Sequence, residues 1–66
     1  MDAKKIGEKL TRFRGDRPQD KVANAVGISV SALSMYETGN RIPRDEIKVK
    51  LARYYGSTVE EIFFTP

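Results

Sequence analysis

Along the chain, apolar residues recur at helical spacings and never alternate for long enough to make a credible strand. In AKKIGEKLTRFR, Ile6, Leu10 and Phe13 follow one another at intervals of four and three, which stacks them on one face of a helix over residues 3–14. Gly15 and Asp16 end it. Pro18 suits the first turn of a second helix over 18–26, because its missing N–H needs no partner there. Val22, Ala23 and Val26 make the inward face of that helix, and Gly27 fits the position after its last turn. Ser29 is the natural cap of a third helix over 29–38, in which Leu33 and Tyr36 point inward and Ala32 lies close to a neighbouring backbone. NRIP forms a loop to a fourth helix over 44–55, with Asp45 as its candidate cap. Ile47, Leu51 and Tyr54 mark one stripe on it, and Ala52 with Tyr55 marks another, so this helix is contacted on more than one side. Gly56 ends it. Thr58 and Glu61 have the spacing of a capping box, and a final helix over 58–64 turns Val59, Ile62 and Phe63 inward.

A chain of 66 residues holds one all-α domain with a modest core. Its 39% hydrophobic content against 32% charged is that of a folded unit and too apolar for a disordered tail. There is no cysteine and no histidine, which removes disulfides, thiolate chemistry, structural zinc and imidazole catalysis together. The acidic residues form no paired constellation and no glycine-rich phosphate loop is present. No catalytic residue, metal or cofactor is therefore expected. No apolar run approaches about 18 residues, so the expected compartment is the cytoplasm, with no membrane partner.

Charge changes the picture through its distribution. The net charge is only +3, but residues 1–21 carry seven of the twelve Lys and Arg, residues 41–53 carry the other five, and residues 22–40 carry none. Two basic segments flanking a neutral one suit a polyanion backbone on either side of a less charged contact. The neutral segment is also where two short helices meet at a tight turn beginning with Gly27. That is the helix-turn-helix pattern, in which the second helix offers its outer face to the DNA major groove while the first crosses the backbone. With Leu33 and Tyr36 inward, the third helix has Val30, Ser31, Ser34 and Met35 left to reach base edges. Serine hydroxyls donate or accept, and Val and Met contact a thymine methyl.

From about Ile6 to Phe63 the ordered set of motifs resembles the Cro/CI-type repressor family, also called the Xre-type helix-turn-helix regulators. The residues that carry the resemblance are the amphipathic IGEKLTRFR; Gln19, Ala23 and Gly27 at the family's mutual spacing; Ser29, Ala32, Tyr36, Glu37 and Gly39; and the later pairs Ile42 with Pro43 and Leu51 with Ala52, then Gly56 and Glu60 through Phe63. The resemblance implies a compact five-helix, lambda repressor-like domain. Its implied function is that of a sequence-specific double-stranded DNA-binding transcriptional regulator, a repressor dimeric on a two-fold related operator, with no small-molecule effector expected. It also implies roles for residues: Gln19 on a backbone phosphate, Val30, Ser31, Ser34 and Met35 on bases, and Thr38, Asn40 and Arg41 along the sugar-phosphate backbone. Arg44 is implied to approach the backbone or adjacent minor groove, and Arg12 to form an ion pair with Glu37 that ties the first helix to the end of the third.

The chain departs from the family pattern in three places. Pro18 stands where a hydroxyl residue usually precedes the glutamine. Lys48 stands where many members are apolar, so either the fourth helix is rotated from the usual register or, as is expected here, the lysine stem covers the core while its ammonium reaches water. The reading face lacks the Gln or Arg of strong bidentate discrimination, which leaves methyl contacts, water and DNA shape to set specificity. The same mild face motivates a rival reading, a helix-turn-helix fold used as a protein-protein module such as an antirepressor or adaptor. Ile62, Phe63 and Phe64 are bulky for so short a final helix, and Phe64 is the candidate dimer-interface residue.

Overall fold

Asp2 starts the first helix by accepting the N–H groups of Lys4 and Lys5 at 3.0 and 3.2 Å, so α1 runs Ala3–Arg14. The computed structural model describes residues 1–66 and is all-α, with four further helices: α2 (Gln19–Val26), α3 (Val30–Thr38), α4 (Asp45–Tyr54) and α5 (Glu60–Phe64). Pro18 occupies the cap position of α2 without a side-chain cap, and the Pro18 carbonyl accepts the Val22 N–H at 3.3 Å. At the other end of α2, Gly27 has a φ of 85°, a left-handed conformation that a side chain would oppose. That turn lets the Gly27 and Ile28 N–H groups close on the Ala23 carbonyl before Ser29 opens α3, its hydroxyl accepting the Ala32 N–H at 3.0 Å.

Helix α4 begins differently from the sequence expectation. The chain reaches Arg44 in extended conformation, so Arg44 takes the cap position with no side-chain bond and Asp45 is already helical. The Asp45 carboxylate turns to the Lys48 ammonium at 3.4 Å instead of capping. In α5 the bonds widen into a π-type turn over five residues. Thr58 Oγ1 accepts the Glu61 N–H at 3.1 Å, while the Glu61 carboxylate takes the Ser57 hydroxyl rather than returning to Thr58.

The helices meet on Ile6, Leu10, Val22, Ala23, Val26, Leu33, Tyr36, Leu51, Ala52, Ile62 and Phe63, all buried. Leu10, Leu33, Leu51 and Ile62 are wholly removed from water and join every element except α2, which contributes Val22. Phe13, Ile28, Ala32, Ile47, Tyr55 and Val59 pack around them half-buried. At Gly7, α1 comes close to the end of α3. A Cβ at position 7 would lie 2.8 Å from the Tyr36 carbonyl oxygen and would also overlap the Glu37 carbonyl group. Gly7 therefore allows the two backbones to touch.

Replacing Gly7 by Ala tests that contact. Overpacking costs about 1–3 kcal/mol, whereas the gain in helix propensity is only about 1 kcal/mol. Urea denaturation is expected to show a net loss of stability; an unchanged or raised midpoint would mean that α1 and α3 stand further apart.

Candidate nucleic-acid interface

Burial of Leu33 and Tyr36 fixes which face of α3 looks outward. Val30 and Met35 are 44% and 43% exposed, Ser31 is exposed and Ser34 half-buried, so these four residues share the outer, N-terminal part of the helix. None of their side chains is held by an intramolecular hydrogen bond or ion pair. Beyond the helix, Asn40, Arg41 and Arg44 are exposed. Arg44 meets Glu46 at 3.8 Å with both side chains largely in water, an arrangement worth little energetically. The Thr38 hydroxyl donates to the Ser34 carbonyl at 2.9 Å and accepts the Asn40 amide N–H at 3.0 Å. Its hydroxyl thus links the last turn of α3 to the loop that carries Asn40 and Arg41.

Behind this surface lies a buried polar cluster. The Glu37 side chain is 5% exposed, at the C-terminal end of α3, where the helix dipole opposes a negative charge. Arg14 meets this carboxylate in a two-pronged contact: Nε donates to Oε2 at 2.7 Å and an Nη donates to Oε1 at 3.1 Å. Gln19 Nε2 donates to the same Oε1 at 2.9 Å. The hydrogen bonds that Arg14 donates to Glu37 raise its guanidinium above its ordinary pKa, against the opposing effect of burial. Arg14 also donates to the Arg17 carbonyl at 2.8 Å, so one side chain fixes both the end of α3 and the turn leading into α2.

The partner of Glu37 is therefore Arg14, and the expected Arg12–Glu37 pair does not form. Arg12 is exposed. The reason is helical geometry: Gly7 marks the face of α1 that touches α3, and Arg14 follows seven residues later, almost two full turns, on that same face. Arg12, two residues before Arg14, points elsewhere. The close approach at Gly7 that separates the two arginines is a tertiary feature, which the spacing along α1 does not show. Gln19, expected on a phosphate, has one amide N–H engaged by Glu37 and keeps its second N–H and its carbonyl oxygen for other partners.

Aromatic packing closes the cluster from the α4 side. Phe13 and Tyr55 stack at 5.6 Å between ring centroids, and the Arg17 guanidinium lies 5.4 Å from the Tyr54 ring and 5.5 Å from the Tyr55 ring. The Tyr55 hydroxyl is buried without a hydrogen-bond partner. Burial, and then the nearby Glu37 carboxylate, push its pKa up to about 12. Sequence reasoning missed Arg17 as well as Arg14, because contacts between Arg17 and two tyrosines more than thirty-five residues away leave no local spacing to read.

Comparison with known proteins gives concordant matches. A helix-turn-helix family model matches residues 14–62. The cryptic phage CTXphi transcriptional repressor RstR of Vibrio cholerae is 35% identical over 51 residues, which cover 77% of this chain and 46% of RstR, so the chain spans less than half the length of that curated relative. Among solved structures, the restriction-modification controller protein C.AhdI from Aeromonas hydrophila superimposes with a TM-score of 0.85 at 26% identity, covering 94% of this chain and 97% of that one. The clp gene regulator ClgR from C. glutamicum shares the fold, with a TM-score of 0.80 at 23% identity over 94% of this chain and 83% of its own. No helix is long and apolar enough to cross a membrane.

Arg14→Ala leaves a carboxylate enclosed without its cation and is expected to cost about 3 kcal/mol, whereas Arg12→Ala should stay within about 0.5 kcal/mol. Equal losses in chemical denaturation would contradict the assignment of the pair. For Tyr55, the folded state holds the phenolic proton to higher pH than the unfolded chain, whose tyrosines titrate near 10. The contribution of Tyr55 to stability is therefore complete below about pH 10 and is lost as pH rises towards about 12. Tyr55→Phe should abolish that component of the alkaline decline and be no less stable at neutral pH; wild-type and variant curves that stay parallel from pH 10 to 12 would refute it.

Proposed function

Because the chain belongs to the Xre/Cro-CI-type family of helix-turn-helix transcriptional regulators, we propose that it is a sequence-specific repressor that binds a two-fold related operator as a dimer. The observation that carries this reading is the uncharged outer face of α3, held by a buried ion pair and flanked by exposed cations. Val30, Ser31, Ser34 and Met35 enter the major groove, where hydroxyls meet base edges and the apolar side chains meet thymine methyl groups. Thr38, Asn40, Arg41 and Arg44 follow the sugar-phosphate backbone, and the Asn40 amide bonded to the Thr38 hydroxyl supports that loop. Gln19 keeps one amide hydrogen on Glu37 and directs the other to a phosphate.

The name of RstR describes a phage transcriptional repressor and that of C.AhdI a restriction-modification controller, which supports transcriptional control as the role of this chain. Phe64, 58% exposed, supplies the apolar contact between two copies. Repression works by occupancy: two reading helices in successive major grooves obstruct other proteins on that stretch of duplex.

Fluorescence anisotropy on labelled duplex at rising salt tests the reading. Affinity should fall steeply with salt, because the counterions that binding releases from the phosphates gain less freedom as the salt rises, and Arg41→Ala should weaken binding on all duplexes alike while reducing the salt slope by about one. Met35→Ala should instead change the preference among duplexes. A folded chain with no salt-sensitive binding at low ionic strength would assign the outer face of α3 to a protein partner.

A further inference from the structure

Lysine 48 is an unusual choice for its site. The residue is 7% exposed, and its ammonium lies 5.8 Å from the Phe63 ring centroid, 5.4 Å from that of Phe64 and 3.4 Å from Asp45 Oδ1. The expected route of the ammonium into water is thus replaced by two ring faces and one carboxylate. Asp45 is itself almost fully exposed, so it compensates the buried cation poorly. An apolar side chain of similar length would fill the same space without desolvating a charge. What the lysine adds is direction: a cation prefers the faces of the rings it meets, and so sets the orientation of Phe64.

A second lysine holds the same turn from the opposite end of the sequence. Lys9 Nζ donates to the Thr65 carbonyl at 2.7 Å, the Thr65 hydroxyl at 2.8 Å and the Glu61 carbonyl at 3.1 Å, while the Thr65 hydroxyl donates to the Glu61 carbonyl at 2.6 Å. All three ammonium hydrogens have acceptors at the end of α5, where carbonyl groups would otherwise lack partners. Phe63 is in the core, whereas Phe64, the next residue, is mostly exposed.

We propose that Lys9 and Lys48 are positioning residues for self-association, fixing the π-type turn of α5 so that Phe64 is presented to a second copy of this chain. This rests on the dimer reading given above. Lys9 sets the backbone of the turn from α1, and Lys48 sets the aromatic rings from α4. Neither lysine touches the partner through its charge; each acts through Phe64.

Sedimentation equilibrium on the full chain, with thermal unfolding of the same samples, tests the proposal. Lys48→Met keeps the packing volume and removes the charge. Diluted to where both proteins are monomeric, it should melt no lower than wild type, yet its dimer dissociation constant should be about tenfold higher, the scale of one desolvated cation–π contact. Lys9→Met should weaken the dimer in the same direction. A Lys48→Met variant with lowered melting and unchanged dimer affinity would show an ordinary packing role and overturn the proposal. In the wild-type protein, ring currents should shift the Lys48 ε-methylene protons upfield of those of the other lysines in nuclear magnetic resonance spectra; their absence would overturn it without any variant. Phe64→Ser separates the two levels of inference. A monomeric wild type, or a dimer indifferent to Phe64→Ser, would remove the interface and this proposal together. A dimer sensitive to Phe64→Ser but indifferent to both lysine variants would remove the positioning role alone.

Discussion

The carboxylate of Glu37 sits where both burial and the helix dipole oppose a negative charge, so the surrounding chain has to supply compensation. Arg14 provides it from α1 and Gln19 from the first turn of α2. One side chain on α3 therefore takes hydrogen bonds from both helices that precede it. Rotation of α3 about its axis would break the bidentate contact and strand a buried charge, a far larger penalty than any single surface contact could offset. The close passage of Gly7 over the Tyr36 and Glu37 carbonyl groups restricts the same motion sterically. Orientation of the outer face of α3 is thus determined from behind, by residues that lie away from that face.

That arrangement explains how an uncharged outer face and a basic protein coexist. Arg14 holds α3 from its inner side and Arg17 lies on the rings of Tyr54 and Tyr55, while Arg41 and Arg44 stay exposed beyond the helix. Gln19 joins the two sets, with one amide hydrogen in the buried cluster and another uncommitted. On the far side of the core, lysines 9 and 48 hold the final turn by carbonyl oxygens and ring faces, so charge organises both ends of the molecule while the leucines at its centre exclude water.

Much of the fold was legible because it is written in local periodicity. Ile6 with Leu10, Val22 with Val26, and Leu33 with Tyr36 each repeat at helical spacing, and Gly27 followed by Ser29 marks a stop and a start. What was not legible depends on tertiary direction. Arg12 and Arg14 are equivalent in sequence, and only the contact face of α1 separates them. Asp45 is a good cap by residue type, but the extended backbone at Arg44 places the cap one residue earlier. Lys48 carries no mark of the Phe rings that receive its ammonium, because those rings belong to another helix. The widening of α5 into a π-type turn likewise has no counterpart in the capping-box spacing of Thr58 and Glu61.

Selection of bound duplexes from a random pool by the purified chain is the most direct test of a reading helix oriented in this way. The predicted result is enrichment of one sequence as two inverted half-sites whose centres lie about 34 Å, one turn of the duplex, apart. A pool that emerges without enrichment, from a chain shown to be folded, would contradict sequence-specific DNA recognition by α3.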